Sequence, residues 1–414
     1  MDPVPSDFKT RTRFVIRLGR ALHECGANSE RIERHLGNVT EMLGLHGSFL
    51  VSPTTFTCAF WEDDELDQFI HIERVSPADY NLGKLWDIDQ LVETIESGKL
   101  TFQDGVEELE RLRQTEHNHC FAIQSLSWFL TGGCFSLLLS PGLFDALASA
   151  VISLLAFLIV RQGASRPTWQ PVSTILGALA AGLIAGCLAG TALPINPPLV
   201  VLASLVIFIP GLALTVSLTE ISTGQLISGT SRIVDAIMTL LKLFFGAASG
   251  IALSRLFFDE IPPVFDYLSA TAGDLPSWRI WPALVGLALA LGVGTNLPTH
   301  RLGWGVLSAL VAFLTATLAA PGLGSFAGLF LGALAVGLFA NLFARLTHGP
   351  GSVLMTNGLV VLVPGSKVYS TLNQWVSGES ILPSESGATA LMAFVALMAG
   401  LLFSNALLPA RKSL

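Results

Sequence analysis

A chain of 414 residues that is 51% hydrophobic and 13% charged, with a mean hydropathy of +0.61, excludes an ordinary soluble domain and requires long apolar helices in a bilayer. The charge is divided. Residues 1–120 carry 12 Lys and Arg against 22 Asp and Glu, while residues 121–414 carry 11 against 9. So acidic a head excludes nucleic acid, which needs a basic surface, and is repelled by anionic lipid.

The first apolar run, Phe14 to Leu22, is interrupted by Arg17 and Arg20. It is too short and too charged for a cleavable leader, so the head is expected to stay in the cytoplasm. Phe8–Cys25 reads as a helix with Phe14, Leu18 and Leu22 on one face, ended by Gly26. Asn28 or Ser29 caps a second helix carrying Ile32, Leu36, Val39 and Leu43, and Gly44 and Gly47 stop it. Strands are expected at 48–51, 55–61 and 67–75, and helices near 87–97 and 101–117. Residues 1–118 thus form a small α+β domain. Its His23, Glu24, His35 and His46 match no metal spacing and read as surface or capping groups, and Ser52 follows no nucleophile elbow. Cys25, Cys58, Cys120, Cys134 and Cys187 are odd in number and read as reduced packing residues. No catalytic residue, metal or cofactor is expected.

Ten apolar segments follow, near 120–139, 143–160, 172–192, 198–219, 233–257, 280–297, 303–320, 324–345, 352–370 and 387–408, each long enough to cross a ~30 Å core. Arg161, Arg166, Arg232, Arg301, Arg345, Arg411 and Lys412 fall in alternate loops, which places both termini in the cytoplasm of an inner (cell) membrane. Arg255, Arg279 and Lys367 depart from that bias. Stretches recur in order about 150 residues apart: Leu176–Ala180 with Leu331–Ala335, Pro210-Gly211 with Pro364-Gly365, Gln225–Gly229 with Gln374–Gly378, and Gly250 and Ser254 with Gly400 and Ser404. Two halves, 119–258 and 279–409, of five segments each give a 5+5 inverted repeat. The expected fold is therefore an α-helical polytopic membrane protein with ten transmembrane helices and a cytoplasmic α+β domain. Gly182, Gly186 and Gly190, and Gly328 with Gly332, form ridges for close helix packing.

The two Pro-Gly pairs break segments 4 and 9, and matched breaks in two halves point to a transporter's binding site. Candidate substrate-binding residues are Pro210, Gly211, Thr215, Ser217, Lys242, Asn357, Pro364, Gly365, Lys367 and Tyr369. Lys367 and Lys242 are placed there as partners for a substrate carboxylate, the alternative for Lys242 being a structural pair with Asp235. Asn341 is a further polar group at membrane depth. Glu220 and Asp235 are the coupling candidates, although Glu220 reads more readily as an exposed loop acid. No phosphate-binding P-loop occurs, which argues against drive by ATP.

Gly26–Glu33 (Gly-Ala-Asn-Ser-Glu-Arg-Ile-Glu), Val51–Thr55 (Val-Ser-Pro-Thr-Thr) and the paired Pro-Gly segments resemble the threonine/serine exporter family across nearly the whole chain. The resemblance implies a non-enzymatic secondary transporter that exports small hydroxy amino acids on the proton motive force, with protons, a small-molecule substrate and lipid as partners. Similar halves occur elsewhere as separate subunits linked to dicarboxylate (succinate) export, which is the alternative substrate class. Heads of this family have also been likened to hydrolases, so the remaining alternative is a membrane-anchored hydrolase with the head as its catalytic part, although no catalytic residues carry over to this sequence.

Overall fold

The computed structural model describes residues 6–62, 67–76, 80–114, 119–140, 142–191, 193–258, 277–347, 349–362 and 383–409. The head comprises α1 (Ser6–Glu24), α2 (Ser29–Met42), β1 (His46–Val51), β2 (Thr55–Trp61), β3 (Phe69–Arg74), α3 (Leu82–Glu96) and α4 (Phe102–Gln114). Phe14, Leu18 and Leu22 of α1 and Ile32, Leu36 and Val39 of α2 are buried, as the i, i+4 spacing requires. The sheet is an antiparallel meander in the order β1-β2-β3. Along β2, alternate residues Phe56, Cys58 and Phe60 turn inward, and Gly19 of α1 leaves the space that the Phe56 ring fills. Ser52-Pro53-Thr54-Thr55 closes the first hairpin: the Ser52 N–H donates to the Thr55 carbonyl at 2.9 Å, and the Thr55 N–H donates to Ser52 Oγ at 3.0 Å.

Two readings of the head are corrected. His23 and His35 are buried, not surface groups. Their helices bury a wider face than the apolar residues alone mark out. Helix α3 begins five residues before its expected start, because Asn81 caps it by accepting from the Lys84 N–H at 3.0 Å.

The body comprises α5 (Phe121–Leu139), α6 (Leu143–Ala164), α7 (Gln170–Ala189), α8 (Pro197–Ser204), α9 (Gly211–Ser222), α10 (Leu226–Ser254), α11 (Ser277–Gly294), α12 (Leu302–Leu323), α13 (Ser325–Thr347), α14 (Gly351–Leu362) and α15 (Pro383–Leu407). Among the described residues, seven helices are long and apolar enough to cross a membrane, and α8 with α9 makes an eighth span bent by 55°. The expected sixth and ninth segments correspond to the shorter apolar helices α11 and α14. Residues 363–382 lie outside the described set.

Contacts recur between the halves. Helix α7 packs on α6 and α10 and α8 on α6, while α13 packs on α12 and α15 and α14 on α12. The two sets meet where α5 packs on α11 and α9 on α15. Small residues allow these approaches. Gly186 of α7 sits against the Ser254 hydroxyl and Gly337 of α13 against that of Ser404. Gly250 sits against the Leu179 carbonyl and Gly400 against that of Phe330. Gly182, Gly190, Gly328 and Gly332 are likewise packed against neighbouring side chains or backbone, as the ridges predict.

Candidate functional site

The break in the fourth segment is local chemistry. Helix α8 stops at Ser204, one 3-10 turn follows at Val206–Phe208, and Ile209 is extended. Pro210 has no N–H to continue a helix, but its carbonyl accepts from the Leu214 N–H at 3.0 Å and so begins α9 at Gly211. From there one face of α9 and its C-cap, Leu212, Val216, Thr219 and Thr223, lines a cavity of about 390 Å³. These positions step by four, three and four residues, a single helical face. The opposing wall comes from the second half: Asn341 of α13, Ser352, Met355 and Thr356 of α14, and Leu402 and Asn405 of α15. The Asn341 amide donates to Asn405 Oδ1 at 3.0 Å and to the Leu408 carbonyl at 2.8 Å, joining α13 to the end of α15.

The head closes one end of this cavity through the turn between α1 and α2. Gly26, with φ at +83°, ends α1. Its N–H donates to the His23 carbonyl and that of Ala27 to the Leu22 carbonyl, the paired bonds of a Schellman turn. Asn28 then caps α2 by accepting from the Arg31 N–H at 3.0 Å. The next N–H, of Ser29, donates to Glu220 Oε1 at 2.9 Å. Glu220 Oε2 accepts from Ser228 Oγ and from Arg232 Nε, each at 3.0 Å. Glu220 is therefore a fully buried acid at the positive end of α2 and not an exposed loop residue. Glu33 accepts from the Val51 N–H at 3.0 Å and from the Gln225 side chain. Burial pushes the Glu33 carboxyl above its ordinary range, against the pull of those two donors.

A second joint lies on α3. The Leu82 N–H donates to the Thr295 carbonyl at 3.0 Å. Trp86 lies against Phe343, with Arg301 over its ring at 4.5 Å. Gly349 approaches the same ring so closely that any side chain there would overlap it.

The sequence-selected residues divide. Pro210 and Gly211 form the break as expected. Thr215 and Ser217 are on α9 but buried away from the cavity, each donating within its own helix, to Gly211 and Leu214 carbonyls. Asn357 faces Gly292 and Gly305, and both polar atoms of its amide are buried without a hydrogen-bond partner among the described residues. Lys242 is half-buried and Asp235 exposed on α10; they make no ion pair with each other, and neither lines the cavity. Pro364, Gly365, Lys367 and Tyr369 lie outside the described residues. Sequence reasoning missed Thr219, Thr223, Ser352, Thr356 and Asn405, and gave the cavity nothing from the head. Small polar residues spaced along one face of an apolar helix were the available signal.

A many-helix body, one span broken beside a cavity between its halves, places this chain among integral membrane transporters. Two models of one family match it, over residues 13–254 and over residues 283–407, the second described as "Threonine/Serine exporter, ThrE". The chain belongs to the threonine/serine exporter family. It is 23% identical over 408 residues to the "Threonine/serine exporter" of Corynebacterium glutamicum, covering 95% of this chain and 81% of that one. It is 25% identical over 344 residues to the "Probable threonine/serine exporter" of Mycobacterium tuberculosis, covering 77% and 61%. It is also 22% identical over 366 residues to the "Pheromone-regulated membrane protein 10" of Yarrowia lipolytica, covering 86% of this chain but 30% of that longer protein. No solved structure matches the chain.

Proposed function

We propose that this protein is a secondary exporter of threonine, serine or closely similar small amino acids, and that the cavity between α9 and α13–α15 is its substrate site. One observation carries the reading: the cavity borders the second leg of the broken span, where the two halves meet. Its volume of about 390 Å³ falls at the small end of ligand pockets. Its Thr, Ser and Asn side chains offer the neutral donors and acceptors that a hydroxy amino acid requires. Both termini face the cytoplasm, so the cavity fills from the head's side. The halves, 119–258 and 279–409, form an inverted repeat that rocks about the site. The proton motive force drives the cycle.

The dicarboxylate reading has one observation in its favour, that two arginines, Arg31 and Arg34, line the cavity against one acid, Glu30. The Glu30–Arg34 ion pair weighs against it, because it leaves one net positive charge for two carboxylates.

Filling the cavity tests its role. Thr219→Trp and Thr223→Trp, made separately, are each expected to abolish counterflow of labelled threonine in proteoliposomes while the protein still elutes as a single species in detergent. Wild-type counterflow in both would remove the cavity from the transport path.

A further inference from the structure

Every charged side chain that lines the cavity comes from the head. Among the described residues these are Glu30, Arg31 and Arg34, while the membrane helices contribute apolar, Thr, Ser and Asn side chains. Glu30 and Arg34 are paired with each other, one turn apart on α2. Among the described residues Arg31 has no ion-pair partner, and its guanidinium makes one side-chain hydrogen bond, from Nη2 to the Met355 thioether at 3.2 Å. A thioether is a weak acceptor, and the described residues offer the other donors of that five-donor fork no side-chain acceptor. Two hydroxyls at the same cavity, Ser352 Oγ and Tyr80 Oη, are buried with no hydrogen-bond partner among the described residues. A cationic fork held by one weak acceptor, beside two hydroxyls without partners among the described residues, suits a small anion that carries a further polar group.

The position of Arg31 is also fixed. Asn28 caps the turn before it, Ser29 is held by Glu220, and Glu33 is held by Gln225. The side chain thus projects from a helical turn held to the body two residues to either side. Burial pulls the guanidinium below its ordinary pKa, with Glu30 opposing, yet arginine remains charged in proteins. A charge so placed favours an anionic occupant.

We infer that Arg31 binds the carboxylate of the transported amino acid, which makes the amino-terminal head part of the substrate site and not an accessory to it. This rests on the reading of the cavity as the transport site. Ser352 and Tyr80 complete the site for a small hydroxylated substrate.

The test uses the full chain in proteoliposomes, with threonine and threonine amide as paired substrates, since the amide lacks the negative charge. Wild type is expected to prefer threonine. Arg31→Met, which keeps the stem against Met355, is expected to raise the threonine KM about tenfold to hundredfold with kcat little changed, and to erase the acid-over-amide preference. Arg31→Lys keeps the charge but not the fork, and retains part of the preference. Arg31→Met with an unchanged KM and preference would overturn the assignment and leave the exporter reading standing. So would a loss of kcat that is equal for both substrates, which marks a residue that only docks the head. If wild type carries neither compound, the inference falls together with the proposed substrate class.

Discussion

Glu220 shows what a single residue contributes to the joint between head and body. Its carboxylate is fully buried, with one oxygen on the Ser29 N–H and the other shared by Ser228 and Arg232. Removing one partner of such a group leaves the other charge buried and unpaired, at a cost of about 3–5 kcal/mol. Glu220→Ala is therefore expected to lower the unfolding temperature in detergent markedly. Glu220→Ala combined with Arg232→Met is expected to recover part of that loss, and a double variant no more stable than the single would count against the pairing. Sequence position alone favoured an exposed acid, because the Ser29 donor lies 191 positions away. Thr215 and Ser217 lie on the expected helix but on a face turned from the cavity. Hydroxyls fall on more than one face of α9, Thr215 and Ser217 as well as Thr219, so only the four-residue step from Thr219 to Thr223 marks the face that meets the cavity. The corner at Gly26–Asn28 was readable as a helix stop and start, but not as the cap of a cavity. What an element's end docks against is not written in the element.

At the scale of elements, the break at Pro210 and the glycine contacts were legible, because proline and glycine act on the backbone that carries them. The α7–α10 and α13–α15 contacts are the clearest case. A methyl group added at Gly250 would overlap the Leu179 carbonyl, and one added at Gly400 would meet the Phe330 carbonyl. Backbone cannot yield as a flexible side chain does, so Gly250→Ala and Gly400→Ala are each expected to cost about 1–3 kcal/mol. Gly303→Ala, where the added atom meets open space, serves as the control. Thermal melts of the three variants check this, and equal melting temperatures would contradict the packing account. Element ends were less legible: α10 begins at Leu226, several residues before the apolar segment that predicts it, because a membrane helix continues into polar sequence beyond the bilayer.

For the whole molecule, composition established the division into an acidic head and an apolar body, because burial in lipid acts on every residue of a span. Docking between the two parts was not legible. It depends on contacts such as Leu82 with Thr295 and Trp86 with Phe343 and Arg301, each joining residues more than 200 positions apart. Together with the Ser29–Glu220 and Glu33–Gln225 bonds that hold the start of α2, they make the head and both halves one unit in the transport account. Its central claim is gradient-driven export through that unit. The most direct measurement is the flux of labelled threonine, serine and succinate from sealed proteoliposomes of known orientation, with and without an imposed proton gradient. The account predicts saturable flux of threonine or serine that rises with the gradient and exceeds that of succinate. Flux that does not saturate, or that ignores the gradient, would contradict it.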